Sequence, residues 1–110
     1  MTMADLIQIA AKILAQTRAG KLQWESVGAD TFSTSVGSTQ LTIASKTRRV
    51  PLGSEQWYRL TVLDDKGNTV EAVDSDTAEA ILTVLYETAR RNALKVDQVL
   101  DALSAKLDTL

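Results

Sequence analysis

The sequence predicts an α+β domain in two layers: an N-terminal helix, a five-stranded antiparallel meander sheet and two C-terminal helices. Near both ends of the chain, apolar residues recur every three to four positions, which is the helical period. Between residues 21 and 73 they alternate with polar residues, which is the strand period. Because helices and strands are segregated along the chain, the helices are expected to cover one sheet face. The other face is then open to solvent or to a partner.

The first helix is predicted to run from about residue 2 to residue 18. Thr2 offers an N-cap, Arg18 complements the C-terminal end of the helix dipole, and Gly20 supplies the positive φ of a C-cap. Its apolar face is broad and comprises Leu6, Ile7, Ile9, Ala10, Ile13 and Leu14.

The first three strands are predicted from short runs of alternation. Leu22, Trp24 and Ser26 share one side of the first run, so Trp24 is expected in the core. The second and third strands alternate on either side of Gly37-Ser38, a dipeptide typical of a two-residue hairpin turn.

The fourth strand is the clearest, because Tyr58, Leu60 and Val62 share one face in an unbroken alternation. A turn over residues 64–68 then leads to the fifth strand. Residues 46–55 contain Pro51 and Gly53, and we expect them to form a loop between the third and fourth strands.

Two helices are predicted after the sheet. The second helix begins at a capping-type pattern of Asp76 with Glu79 and buries a face made by Ala78, Ile81, Leu82, Leu85, Tyr86 and Ala89. The third helix runs from about Val96. Its apolar residues are spaced 4, 3, 4 and 3 apart, a narrow seam typical of a helix that packs along another helix, and they are Val96, Leu100, Leu103, Leu107 and Leu110.

Composition excludes most catalytic chemistry. The 110 residues are expected to form a single domain, residues 1–110, and they include no histidine and no cysteine. Disulfides, thiolate nucleophiles, imidazole bases and Cys/His zinc sites are therefore excluded. No phosphate-binding glycine motif is present, and the acidic pairs fall where turns and helix starts need them. We expect no enzymatic activity, no catalytic residue, no metal and no cofactor.

Charge is unevenly distributed although the net charge is only −2. Residues 1–60 carry 7 basic and 4 acidic side chains, whereas residues 61–110 carry 5 basic and 10 acidic ones. The acidic balance argues against nucleic acid or an anionic membrane as the partner. The N-terminal segment does not have the pattern of a signal peptide, and no stretch is long and apolar enough to span a membrane. A cytoplasmic bacterial protein is expected.

One surface stands out as a candidate for binding. Trp57 lies opposite the apolar alternation of the fourth strand, so it either packs in a core on a twisted or doubly covered sheet or is exposed. An exposed tryptophan is typical of an interface. Arg48, Arg49 and Arg59 lie near it in the sequence. Aromatic and basic side chains on a sheet also bind single-stranded nucleic acid or a small ligand, which stays open as the alternative.

Two segments resemble a small bacterial domain family of unassigned function. The first, T-x-x-G-K-L-x-W, runs from Thr17 to Trp24, and the second, L-Y-x-x-A-R-R-x-A, runs from Leu85 to Ala93 with Val96-Asp97 after it. The resemblance covers nearly the whole chain and implies a self-standing domain, but no activity, cofactor or site residue. The chain departs from it at Lys95, where a glycine makes a better helix stop.

Type III secretion chaperones are a second resemblance, in size, acidity, cytoplasmic location and αβ sandwich character. They place a helix between their third and fourth strands, and residues 46–55 are too short for one. A non-enzymatic interaction, adaptor or regulatory module of a bacterial multi-protein system is the function we expect. The seam of the third helix must be buried somewhere, either on its own sheet or in a homodimer, which we favour.

Overall fold

The computed structural model describes the backbone of residues 3–110 and the side chains of residues 5–75 and 80–110. Its helices and strands are α1 (Met3–Arg18), β1 (Glu25–Gly28), β2 (Thr31–Val36), β3 (Thr39–Val50), β4 (Gly53–Leu63), β5 (Thr69–Asp74), α2 (Ser75–Ala93) and α3 (Val96–Asp108). This order confirms the predicted α+β architecture. The expected caps at Thr2 and at Asp76 with Glu79 lie outside the described residues and side chains.

The five strands form one open antiparallel sheet in the order β1-β2-β3-β4-β5, so every strand pairs with its sequence neighbours. One row of opposite residues crosses the sheet, because Phe32 pairs with Ile43, Ile43 with Leu60, and Leu60 with Val73. Directly opposite residues in antiparallel strands share a face. None of the four is more than 2% exposed, so this row is the centre of the buried face.

Helix α2 covers this row and packs beside α1. Leu60 and Leu85 were both predicted to lie in the core, and both are 0% exposed, which confirms the prediction. The ring of Tyr86 packs against Phe32 and Tyr58, with centroids 5.6 Å and 5.0 Å away. Burial raises the pKa of the Tyr86 phenol. The side chain of Ala78, which was also placed on this helix face, lies outside the described side chains.

The predicted loop at residues 46–55 is wrong. Strands β3 and β4 stay paired over this stretch as far as Val50 opposite Gly53, so only Pro51 and Leu52 form the turn. The physical reason is that proline and glycine interrupt the ladder only at the turn, where Gly53 adopts a φ of 140°. The stretch is a two-stranded ribbon, and it contains no helix of the kind found in secretion chaperones.

The first strand is shorter and later than expected. It begins at Glu25 rather than Leu22, because the backbone N–H of Trp24 donates to Asn92 Oδ1 at 2.7 Å instead of to a neighbouring strand. The indole Nε1–H of Trp24 donates to Thr17 Oγ1 at 3.0 Å. Trp24 is 4% exposed, so its predicted place in the core is confirmed.

The two C-terminal helices meet at a sharp elbow. Lys95 adopts φ 52° and ψ 44°, the left-handed conformation that favours glycine, so the break between the two helices falls at this residue. The radius of gyration is 15.8 Å, whereas a compact chain of this length has about 13 Å. The excess fits two elements that project from the body: the β3–β4 ribbon and α3.

Candidate interaction surfaces

Helix α3 carries an apolar seam that the rest of the chain does not bury. The structure adds Val99 to the predicted seam of Val96, Leu100, Leu103, Leu107 and Leu110, and we call all six the seam. Leu110 lies two residues beyond the end of α3, and the other five fall within one narrow arc of a helix with 3.6 residues per turn. Val96 is half-buried, but no residue of α3 is buried. The other exposed fractions are Val99 59%, Leu100 51%, Leu103 50%, Leu107 57% and Leu110 100%.

The position of α3 explains this exposure. Its main packing contact is with the end of α2, and the elbow at Lys95 turns its axis away from the core. Arg91 Nη2 donates to Asp97 Oδ1 at 2.6 Å, which connects the two helices near the elbow. Both side chains are largely exposed, so this ion pair contributes little to stability.

The side of α3 that is turned away from the seam is acidic. Asp97, Asp101 and Asp108 are spaced by four and seven residues, which places them along one side of the helix. Lys106 lies on the opposite flank. The helix thus presents an apolar stripe on one side and negative charge on the side that is turned away from it.

A groove lies between α1 and the end of the sheet where β2 turns into β3. Its volume is about 520 Å³, and it is open to solvent along one side. The helix side is formed mainly by Ile9 and Ile13, and the sheet side by Val36, Leu41 and Val62. Val36 is 51% exposed at the mouth of the groove. Leu22, Gln16 and Thr39 complete the lining with Lys12 and Lys21.

The rim of this groove is basic on one side only. Lys12 belongs to α1, and Lys21 directly follows the C-terminal turn of that helix. Both side chains are exposed, and neither makes an ion pair with another described residue. An apolar floor with an unpaired cationic edge suits an amphipathic ligand that carries negative charge on one side.

The open face of the sheet contains the surface predicted around Trp57. The Arg59 guanidinium lies 5.0 Å from the centroid of the half-buried Trp57 ring, and its Nε donates to Asp74 Oδ1 at 2.7 Å. This hydrogen bond raises the pKa of Arg59. The arginine is thus engaged on both sides by its own chain.

The other two arginines of the predicted surface are separated from each other. Trp57 is paired with Lys46 in the β3–β4 ladder, and Arg48 lies two residues after Lys46, so Arg48 and Trp57 share a face. The Nε of Arg48 donates to Glu55 at 3.0 Å. Arg49 points to the opposite face of the ribbon. The structure therefore brings Trp57, Arg59 and Arg48 together and excludes Arg49 from them.

The groove is the feature that the sequence did not indicate. Its walls come from α1, from the segment after it and from three strands, so no local period marks it. The sequence contains one partial indication of the groove, which is Val36 at the end of a hairpin strand. The alternation predicts that its side chain is buried, whereas about half of it is exposed in the structure.

Comparisons with protein-family models, with curated proteins and with solved structures find no match to this chain. The resemblance of the segments at Thr17–Trp24 and Leu85–Ala93 therefore stays an interpretation of the sequence. Within the part of the chain that the structure describes, no helix has the length and apolarity that a membrane crossing needs.

Proposed function

We propose that this chain is a non-enzymatic protein–protein interaction module of a bacterial multi-protein system in the cytoplasm, and that it forms a homodimer through α3. The observation that carries the proposal is the seam, whose residues remain half or more exposed after the domain has folded, apart from Val96. Monomeric proteins rarely leave a continuous apolar patch of this kind uncovered.

The energetics favour burial of the seam. Apolar surface is stabilised by about 25 cal/mol for each Å² removed from water, so leucines at half exposure retain a substantial driving force for association. The acidic side chains on the side turned away from the seam keep the helix soluble until the seam meets its partner. A terminal helix with a narrow seam is also the element that forms helix–helix or helix–groove contacts most readily.

The acidic residues that are the other candidates for chemistry have structural roles. Asp64 Oδ1 accepts hydrogen bonds from the backbone N–H groups of Lys66 and Asn68, both at 2.9 Å, and therefore stabilises the turn before β5. These bonds, with Asn68 the largest contributor, lower the pKa of Asp64. Asp74 pairs with Arg59 on the open face. These partners support a non-enzymatic role.

Sedimentation equilibrium at micromolar concentration tests the proposal. The wild-type chain is expected to sediment as a dimer, at about twice its 11.9 kDa. Leu103→Asp places a charge in the middle of the seam and is expected to give the monomer mass, because an unpaired buried charge is strongly unfavourable at an interface. Circular dichroism checks that the variant keeps its fold.

The matched control is Ala105→Asp, which adds the same charge to the opposite, exposed side of α3. It is expected to remain a dimer. A wild-type mass of 11.9 kDa contradicts the homodimer. Equal effects of the two substitutions contradict the assignment of the interface to the seam.

A further inference from the structure

A polar pocket, separate from the apolar groove, lies at the elbow between α2 and α3. Its volume is about 520 Å³, which is within the range of small-molecule sites. Its walls come from the end of α1, the segment after it, the last turns of α2 and the start of α3. We propose that this elbow pocket binds a small, hydrophilic, phosphorylated molecule. The site goes beyond the proposed interaction role and does not depend on the homodimer.

The charge of the elbow pocket favours an anion. Its lining contains three cationic side chains, Arg18, Arg91 and Lys95, and one carboxylate, Asp97. Arg91 pairs with Asp97 through Nη2, and its Nε and Nη1 make no hydrogen bond to another described residue. Neither Arg18 nor Lys95 makes an ion pair with a described residue. Two positive charges in the pocket are therefore not neutralised by a described carboxylate and attract an anionic ligand.

These cations are not needed to complete the helix ends on which they lie. Basic side chains near a helix C-terminus often interact with its last carbonyl groups. Here backbone N–H groups take that role. After α1, the N–H of Lys21 donates to the carbonyl oxygen of Gln16 at 3.0 Å. After α2, the N–H of Lys95 donates to that of Asn92 at 3.2 Å. The side chains of Arg18 and Lys95 donate to no carbonyl oxygen of a described residue.

A hydrogen-bond donor of fixed orientation accompanies the cations. Asn92 lines the pocket, and its Oδ1 accepts the backbone N–H of Trp24 at 2.7 Å. Because an N–H needs an oxygen acceptor, this bond leaves the Nδ2 group, which has no partner among the described residues, as the free end of the amide. The indole of Trp24 also donates to Thr17 on the facing wall at 3.0 Å. One buried side chain thus holds both walls in place before any ligand binds.

The two sequence segments that resemble a known family meet at this pocket. Three lining residues come from residues 17–24, three from residues 85–93 and three from the elbow and the first turn of α3. The proposed interaction role uses neither segment. The pocket gives both of them a place in one site.

The backbone of Lys95 is a further indication of a site. Within residues 3–110, Lys95 is the only residue other than glycine with a positive φ. Glycine adopts this conformation at no steric cost. Strained residues of this kind cluster at ligand sites, where their side chains are used. A lysine at a position that favours glycine supports a binding role for its ammonium group, which faces the same pocket as Arg18 and Arg91.

The chemistry of the lining selects the class of ligand. Arginine and amide groups donate hydrogen bonds, and arginine binds phosphate oxygens in a bidentate manner. No described aliphatic or aromatic residue lines the pocket, so it offers no surface for a nucleobase or an acyl chain. A phosphate ester of a sugar or another polyol provides both the negative charge and the hydroxyl groups that such a lining can bind.

Isothermal titration calorimetry with glycerol 3-phosphate and with inorganic pyrophosphate tests the site. Both are expected to bind the wild-type chain, whereas uncharged glycerol is not. Arg18→Gln with Lys95→Gln removes the two unpaired charges and is expected to weaken binding at least about tenfold. The matched control, Lys12→Gln with Lys66→Gln, removes the same charge from positions outside the pocket and is expected to stay within about twofold of wild type. Equal losses in the two variants, or no binding by the wild type, overturn the proposal.

The two tryptophans show where the ligand binds. The indole N–H of Trp24 adjoins the pocket through Thr17, whereas Trp57 lies on the open face of the sheet. In NMR spectra the Trp24 indole signal is expected to shift on addition of pyrophosphate, and the Trp57 signal is expected to stay in place. A shift at Trp57 alone, or binding that moves neither signal, places the ligand elsewhere and contradicts the proposal.

A last variant separates a binding role of Lys95 from a structural one. Lys95→Gly relieves the left-handed backbone, so its midpoint of urea unfolding is expected to rise. Its affinity for pyrophosphate is expected to fall at least about fivefold, because the ammonium group is lost. A more stable variant that binds as tightly as the wild type contradicts the proposal.

Discussion

Helices α2 and α3 follow each other in the chain and both are amphipathic, yet α2 is packed into the core whereas α3 is exposed. Helix α2 buries Leu82, Leu85 and Ala89 completely against the sheet and α1. Helix α3 starts three residues after α2 ends and buries no residue. The change occurs at Lys95, whose left-handed backbone directs the chain away from the body.

An apolar period shows that one face of a helix favours burial, but it does not show which surface covers that face. The row of Phe32, Ile43, Leu60 and Val73 gives α2 a surface within its own chain. Helix α2 covers that row, with α1 packed beside it. Within its own chain the seam stays exposed. Three measurements test how completely the two helices differ.

The largest expected difference is in stability. Leu85→Ala removes a fully buried side chain from α2 and is expected to lower the free energy of unfolding by about 2–5 kcal/mol. Leu103→Ala makes the same change on α3, where the side chain is 50% exposed, and is expected to cost less than about 1 kcal/mol. Both are measured by urea unfolding at concentrations low enough to keep the chain monomeric.

A cost above 2 kcal/mol for Leu103→Ala under these conditions means that α3 packs on its own domain. The dilution matters because a dimer contact stabilises the folded chain by mass action, and Leu103→Ala then acquires a cost that reflects association.

A smaller effect marks where the body of the domain ends. Asn92 is the last α2 residue hydrogen-bonded to the sheet region, through its Oδ1 and the backbone N–H of Trp24. Asn92→Ala is expected to cost about 0.5–1.5 kcal/mol. Gln98→Ala, at an exposed α3 position six residues on, is expected to change stability by less than about 0.5 kcal/mol. Equal costs in urea unfolding show that α3 belongs to the same cooperative unit.

Most of the fold was predictable because its elements carry strong local periods. The alternation at Tyr58, Leu60 and Val62 specified β4 and its buried face, and the glycine at position 37 specified the hairpin. The β3–β4 ribbon was missed because Lys46, Thr47, Arg48 and Arg49 are polar on both faces. Beyond the helices neither face of the ribbon is buried, so no apolar alternation marks it as a strand.

The candidate surfaces were predictable only in part, for a different reason. The seam is local to one helix, so its spacing revealed it. The groove combines residues as far apart as Ile9 and Val62, which come together only when the sheet has formed. Arg49 was grouped with Trp57 by closeness in sequence, but the strand period places it on the other face of the ribbon. Closeness in sequence does not indicate a shared surface within a strand, because successive side chains point to opposite faces.

Amide hydrogen exchange as a function of protein concentration tests the difference between α2 and α3 most directly. Helix α2 is packed within the chain, so its amides are expected to keep the same protection at low and high concentration. Helix α3 packs mainly on the end of α2 and buries none of its residues, and a helix of 13 residues is marginal in isolation. Its protection is therefore expected to rise with concentration and to disappear in Leu103→Asp. Strong protection of α3 that is independent of concentration, in a chain sedimenting at 11.9 kDa, contradicts the account.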